Sequence, residues 1–500
     1  MTVQVGSCAI VLHTHLPWLA HHGSWPVGEE WLYQAWSGAY LPVAGVLERL
    51  AAEGRTGLLT LGVTPVLAAM LDDPYCLGEF HTWLATWQLR AEGAAVRGVP
   101  TAGYEGRLAA RALTTFERRW RHGASPVLRD LADAGAVQLL GGPATHTFTP
   151  FLPGRLARFA LLTGLDDASL RVGRRPRGIW APECAYAPGL EQLYADAGVE
   201  HFVVDGPLAR GHTCAPVDVA GSGVIAFARD LDVTYRVWSP KAGYPGGPAY
   251  RDFHTFDHAS GLRASRVTSA RTRPGDKRPY DPRLARAAVA RDASDFVDRV
   301  VARLRSLPGD DPLVVVAYDT ELYGHWWHEG PQFLEAVLRA LPEAGVRLRT
   351  LANAAEQLPA TRRALPAGSW GTGKDFGVWE VPDMRRDQER VAERLLAVVD
   401  KADPCAGRSA SLDQLAREAL LALASDWPFS VTKDSATEYA RDRFAGHRSA
   451  FHRLADTIEA ADPGRAATIV AATRARDYPF GHLDAVGLRA NTPRWKDGHA

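Results

Sequence analysis

Leu313-Val314-Val315-Val316-Ala317-Tyr318-Asp319-Thr320-Glu321-Leu322-Tyr323-Gly324-His325-Trp326-Trp327-His328-Glu329-Gly330 decides how this chain is read. Its apolar opening, Leu313–Ala317, reads as a buried strand. Acids, two histidines and two adjacent tryptophans then follow without a break. A structural loop has no reason to collect that set. A site that binds a flat polar ring and moves protons needs all of it.

Three further segments repeat the pattern. Strand-like runs at Val3–Leu12, Val137–Leu140 and Gly178–Trp180 lead into His13-Thr14-His15-Leu16-Pro17, Gly142-Pro143-Ala144-Thr145-His146-Thr147 and Trp180-Ala181-Pro182-Glu183-Cys184-Ala185-Tyr186. Other strands are expected at Leu58–Leu61, Phe202–Val204 and Val346–Leu351. Helical patterns at Leu41–Glu53, Leu190–Ala197, Asp292–Leu307 and Pro331–Leu341 lie between them. This βα alternation predicts a parallel sheet, open or closed into a barrel. In a barrel the carboxyl ends of the strands converge on one face, where active sites are built.

Residues 79–121 fit a helical excursion between the second and third strands. Residues 206–283 are rich in Gly and Pro and read as a long functional loop region with one extra strand, Val224–Ala228. The Arg- and Lys-rich part of it, Ala264–Arg283, fits a solvated surface. From Met384 the patterns are helical only. The expected division is a catalytic barrel over 1–383 and a C-terminal α-helical domain over 384–500, with a frayed tail from Asn491.

Lys plus Arg and Asp plus Glu both number 57, so no global field points to nucleic acid or an anionic membrane. No apolar run reaches the length of a membrane span. The first residues read as a strand rather than a signal peptide. Five scattered cysteines, Cys8, Cys76, Cys184, Cys214 and Cys405, form no CxxC and fit reduced thiols in a cytoplasmic protein.

Two chemistries compete for the polar clusters. His13 and His15 sit on one strand face. With His146 they would make a metal site for a deacetylase or amidohydrolase. In the other reading there is no metal or other cofactor. Glu183 and Asp319 are then a carboxylate pair for glycosyl transfer, and the histidines bond sugar hydroxyls. The bland reading has the histidines merely capping a strand end. Tryptophans in expected loops, Trp238, Trp326, Trp327, Trp370 and Trp379, favour sugar, because indole faces stack on pyranose rings. Glu321 reads as support, and Cys184 as a packed thiol.

HTHLP at 13–17, WAPECAY at 180–186, AYDTELYGHWWHEG at 317–330 and GSWGTG at 368–373 resemble, in order, the signature regions of glycoside hydrolase family 57. Ala424-Ser425-Asp426-Trp427-Pro428-Phe429, Tyr439-Ala440, Arg443-Phe444 and the loop from Arg236 to Phe253 are similar to that family's α-1,4-glucan branching enzymes. The resemblance implies a (β/α)7 barrel and a retaining mechanism. Glu183 would be the nucleophile and Asp319 the general acid/base. His13, His15, His146, Trp238, Trp370, Trp379, Asp426 and Trp427 would lie near the substrate. Trp327 is a candidate cleft wall. Tyr244 would sit at the tip of a lid formed by 238–253, which is expected to exclude water. The implied partner is an α-glucan serving as donor and acceptor. A 4-α-glucanotransferase or α-amylase on the same scaffold is the nearest alternative.

Overall fold

The computed structural model describes residues 4–24, 27–239, 242–269, 271–403 and 407–490. Val3, Cys405 and the tail from Asn491 lie outside them. Ten strands follow in chain order: β1 (Gly6–Thr14), β2 (Leu59–Val63), β3 (Val137–Leu140), β4 (Gly178–Ile179), β5 (His201–Val204), β6 (Val217–Val219), β7 (Ile225–Ala228), β8 (Leu313–Asp319), β9 (Val346–Leu348) and β10 (Thr361–Arg363). All nine residues of β1 are buried, as a near-continuous apolar strand in a parallel sheet should be.

One sheet runs β3-β2-β1-β8, the other β10-β6-β7-β5-β4. A parallel bridge between Gly141 and Ile179 joins β3 to β4. On the other side, the Asp230 amide just past β7 donates to the Val315 carbonyl in β8 at 2.7 Å. Seven parallel strands, β1-β2-β3-β4-β5-β7-β8, therefore close into the expected (β/α)7 barrel.

The staves differ from the expectation in two places. The segment taken as an extra strand is β7, parallel to β5 and part of the barrel wall. The segment taken as the last stave is shortened to β9, which pairs only with Gly6–Cys8 at the amino end of β1. Since β8 occupies one edge of β1 along Ser7–His13, β9 shares the other edge with β2. Residues 206–283 also hold a helix, Leu231–Trp238, whose Asp230 side chain accepts from the Val233 amide at 3.1 Å. Its buried Val233, Thr234 and Val237 give it an inward face, a spacing that the surrounding Gly and Pro obscure in the sequence.

Helices Pro74–Val96 and Ala102–Thr115 pack on each other between β2 and β3. After the barrel come helices Pro382–Lys401, Ala410–Ala422, Thr437–Glu459 and Pro463–Arg474. The second of these is buried at every position from Leu412 to Ala422. Its polar residues are internally bonded: Gln414 donates to Glu418 at 2.9 Å, and Arg417 donates to the Pro479 carbonyl at 2.6 Å. No helix among the described residues is long and apolar enough to cross a membrane.

Two contacts set the loop that carries His146. Ala144 donates to the Ala160 carbonyl at 2.9 Å. Gly164, on the same helix, packs so closely that a Cβ there would lie 2.0 Å from the Gly142 carbonyl oxygen. Gly164→Ala should therefore cost about 1–3 kcal/mol of stability and lower activity by displacing the 142–147 segment. Thermal melts and turnover on amylose check this; an unchanged melting temperature would contradict it.

Candidate active site

The chain leaves β4 and turns sharply. Glu183 has φ 62° and ψ 21°, and Cys184 has φ 50°. Two consecutive non-glycine residues in the left-handed region cost about 1–3 kcal/mol each and persist only where the surroundings impose them. Here the restraint is visible. The Trp370 amide donates to the Glu183 carbonyl at 2.9 Å, while Tyr186 and Gly368 exchange paired backbone bonds. Both ends of the WAPECAY turn are thus laced to the 368–370 segment.

The Glu183 carboxylate is 7% exposed and is held at both oxygens. Trp370 Nε1 donates to Oε2 at 2.8 Å, and Ser425 Oγ donates to Oε1 at 2.8 Å. His146 Nδ1 is bonded to the same Ser425 hydroxyl at 2.8 Å and lies 3.8 Å from Oε1. Asp319 ends β8, in register with His13 at the end of β1. Its side chain takes part in no hydrogen bond or ion pair with the described residues.

The environments drive the two acids apart. Burial pushes the Glu183 pKa up, and the Ser425 and Trp370 hydrogen bonds pull it back toward the ionised form. Burial also lifts Asp319, where the charges of Glu321 and Glu183 add to the effect and only Arg229 opposes it; its pKa is raised well above the usual range. Of the two, Asp319 is the acid whose surroundings favour the proton more strongly. Glu321, raised to about 7 by burial, accepts from Tyr40 Oη at 2.5 Å and from the His15 amide at 3.3 Å.

The histidines form a stack. His15 and His146 lie 3.8 Å apart between centroids, and His13 lies 4.3 Å from Trp180 at an interplanar angle of 11°. Burial keeps His13 and His146 neutral. Burial also opposes charge on His15, but its bond to Asp426, at 3.0 Å from Nε2, outweighs that and raises its pKa. The other nitrogen of His15 is bonded to Thr64 Oγ1 at 2.9 Å. His15, His146 and Asp426 place one donor atom each within 4.8 Å of one another. His13 is not in that set, so the expected HxH ligand pair is not what the structure brings together.

The expected aromatic residues divide. Trp370 is in the centre, its indole 5.1 Å from the Arg229 guanidinium. Trp379 is 1% exposed and stacks on Phe148 at 4.7 Å. Trp427 is buried in the helical region, donates to the Leu421 carbonyl at 2.8 Å and lies under Arg443. Trp327 is core: it packs on Phe333 at 4.9 Å and Tyr250 at 5.3 Å, so it is no open cleft wall. Trp238 ends its helix half-exposed, edge-on to Trp326 at 6.1 Å. Tyr244 is not at a free tip. Its ring is buried against Phe333, and its hydroxyl donates to Asp295 at 2.6 Å. Lid residues 240 and 241 lie outside the described residues.

Sequence reasoning missed Ser425, Thr64, Tyr40, Arg229 and Asp205. Arg229 follows β7 and bonds twice to Asp205 Oδ1, at 2.7 and 2.9 Å, just past β5. Lys374 contacts the other Asp205 oxygen at 2.7 Å. Thr64 follows β2. Three of the five thus lie one residue beyond a strand, the same signal that found His13 and Asp319. Ser425 was in view beside Asp426.

The profile of glycosyl hydrolase family 57 matches residues 9–366, and that of the 1,4-alpha-glucan branching enzyme C-terminal region matches 388–486. The chain belongs to glycoside hydrolase family 57. It is 51% identical to a probable 1,4-alpha-glucan branching enzyme of Mycobacterium tuberculosis, over 96% of this chain and 97% of that one. Its fold matches the crystal structure of a GH57-type branching enzyme from Pyrococcus horikoshii with a TM-score of 0.92 and 30% identity, covering 99% of each chain. It also matches a GH57 branching enzyme from Thermococcus kodakaraensis, solved in complex with glucose and additives, with a TM-score of 0.93 and 31% identity, covering 98% and 97%. Within the family the chain is of the branching-enzyme type, which removes the deacetylase alternative.

The pKa logic gives two expected shifts in the pH profile of kcat/KM. Ser425→Ala removes a bond that favours ionised Glu183, so the Glu183 pKa rises and the acid limb moves to higher pH. Glu321→Gln removes a negative charge that holds the proton on Asp319, so the Asp319 pKa falls and the basic limb moves to lower pH. Rate measurements across pH on one soluble glucan test both; limbs moving the opposite way would refute the assignment.

Proposed function

We propose that the chain cleaves an internal α-1,4 bond of a glucan by a retaining mechanism and rejoins the piece through an α-1,6 bond. The observation that carries this is the asymmetry of the two acids: Glu183 accepts from two donors, while Asp319 has none among the described residues and burial raises its pKa well above the usual range. Glu183 attacks the anomeric carbon as the glycosidic C–O bond breaks, and the Asp319 proton goes to the departing 4-oxygen. Asp319, now a carboxylate, takes the proton of an acceptor 6-hydroxyl. That oxygen then displaces Glu183 from the anomeric carbon.

His13 and His146, whose pKa values burial lowers, and His15, whose pKa Asp426 raises, are placed to bond hydroxyls of the sugar at the cleavage point. Trp370 fixes the nucleophile by its indole N–H. No step needs a cofactor. The catalytic unit is read as 1–383, with 384–500 as the helical domain that completes the cleft. The support is that Ser425 and Asp426 reach the barrel centre from the helical side. A glycogen-like polymer is the natural donor and acceptor. Four free cysteines, three of them buried, support a cytoplasmic location.

Water outnumbers acceptor hydroxyls by roughly four orders of magnitude, so transfer needs a bias of about 5–6 kcal/mol in barrier height. The burial of Glu183 and the histidines supports water exclusion as its source. Product analysis of treated amylose separates branching from the 4-α-glucanotransferase and amylase alternatives. New α-1,6 linkages by proton NMR are expected, where disproportionation or hydrolysis would leave only linear chains. Glu183→Gln should abolish turnover, and Asp319→Asn should lower it by roughly 10²–10⁴ with glucan binding retained. Full activity in Asp319→Asn would overturn the role given to it.

A further inference from the structure

Trp83, Trp87 and Arg90 recur at the spacing of one helical face along Pro74–Val96. They line a cavity of about 470 Å³ that none of the catalytic residues lines. Phe253 and Arg263 line it from residues 249–263, and Trp326 from the segment after β8. This size falls in the range of sites that enclose small organic ligands, roughly 300–1,000 Å³.

The wall is built in detail. Trp83 Nε1 donates to Glu30 at 2.7 Å and Trp87 Nε1 to Glu105 at 3.2 Å, so both indoles are pinned by an edge. Gly324 holds the segment before Trp326 against the first helices. Its φ is 128°, and a Cβ there would lie 1.8 Å from the Gly38 carbonyl oxygen.

The charges are unevenly used. Glu105 is paired with Arg251 at 2.7 Å, Asp252 with Lys277 at 2.6 Å and Glu335 with Arg49 at 2.6 Å. Arg90 lies over the Trp83 ring at 5.5 Å, and its Nε is buried without a hydrogen-bond partner. Arg263 lies over Phe253 at 4.5 Å and bonds only a carbonyl at 2.8 Å and the Gln34 side chain at 3.4 Å. The lining acids thus have partners, while the Arg90 and Arg263 guanidiniums keep N–H groups that no carboxylate among the described residues takes. Aromatic faces beside surplus planar donors suit a ring with apolar C–H faces and a belt of hydroxyl oxygens. Trp326 carries the aromatic surface on to half-exposed Trp238.

We propose that this cavity is a second glucan-binding site, which holds a length of the polymer away from the catalytic acids. The proposal rests on the function given above for the identity of its ligand. Its consequence is a dependence on chain length: long chains engage both sites, short ones only the catalytic centre. Stacking by Trp87 and donation by Arg90 would then act on affinity for the polymer and leave the chemical step alone.

The direct test is calorimetric titration of Glu183→Gln with maltoheptaose. Two sites are expected, falling to one when Arg90→Ala or Trp87→Ala is added, and restored in part by Trp87→Phe. In the active enzyme the same two substitutions should raise KM for amylose about three- to tenfold, with kcat and the rate on maltotetraose unchanged. A thermal melt confirms that each variant is folded. An unchanged site count and unchanged KM in folded Arg90→Ala overturns the proposal. So does binding of glucose 6-phosphate in place of maltoheptaose, which would make the cavity a site for an anionic sugar. Failure of the proposed function shows up separately, as wild-type protein that forms no α-1,6 linkage while the inactive variant still binds at two sites.

Discussion

A buried carboxylate held at both oxygens by hydrogen-bond donors is the constraint around which this molecule is arranged. Glu183 is buried, and burial alone would give it a proton. Two hydrogen bonds oppose that, and their donors are remote in sequence: Trp370 is 187 positions away and Ser425 is 242. The left-handed backbone at Glu183 and Cys184 follows from the same requirement. A turn in ordinary geometry would aim the side chain elsewhere, and the bonds to Trp370 and Gly368 hold the unfavourable one. Asp319 is the complement. It ends a strand with no hydrogen-bonded partner among the described residues, and burial beside two other acids raises its pKa well above the usual range.

The barrel was legible because parallel strands buried on both faces write themselves as apolar runs, and polar residues soon after them mark the open end. That rule located His13, His146, Glu183 and Asp319. β7 looked like an insertion, because it lies in a Gly- and Pro-rich stretch, so Arg229 at its end went unnoticed. Yet Arg229 and Asp205 follow residues that pair in register, Ala228 and Val204, and their ion pair spans the site's edge. Thr64 was lost in the same way, after a strand whose end carries no acid or histidine.

The tryptophans show a different limit. Residue type does not separate a ring that stacks on sugar from one that fills a core. Adjacent Trp326 and Trp327 make the point: one lines the second cavity, and the other is enclosed by Tyr250, Tyr323 and Phe333. Trp379 and Trp427 also went inside, where they brace Phe148 and the helical region. Tyr244 was placed by composition at a lid's tip, but an acid on a neighbouring helix, Asp295, captures its hydroxyl. Long-range partners of this kind leave no periodic trace in a single sequence.

The helical region is therefore more than a cover. The Thr145 hydroxyl donates to the Leu420 carbonyl at 2.6 Å, and the Ser425 amide donates to the His146 carbonyl at 3.0 Å, so the region docks directly on the loop that carries His146. From there Ser425 reaches Glu183, and Asp426 reaches His15. Along this line Asp426 raises the pKa of His15 and adds to the rise at Glu183, which His15 opposes. Undocked, the barrel would lose Ser425 from Glu183 and Asp426 from His15 together. Glu183 would lose one of its two donors, and His15 would lose the carboxylate that raises its pKa. Docking of the helical region and the hydrogen bonding of both Glu183 and His15 are thus tied together by side chains on two consecutive residues.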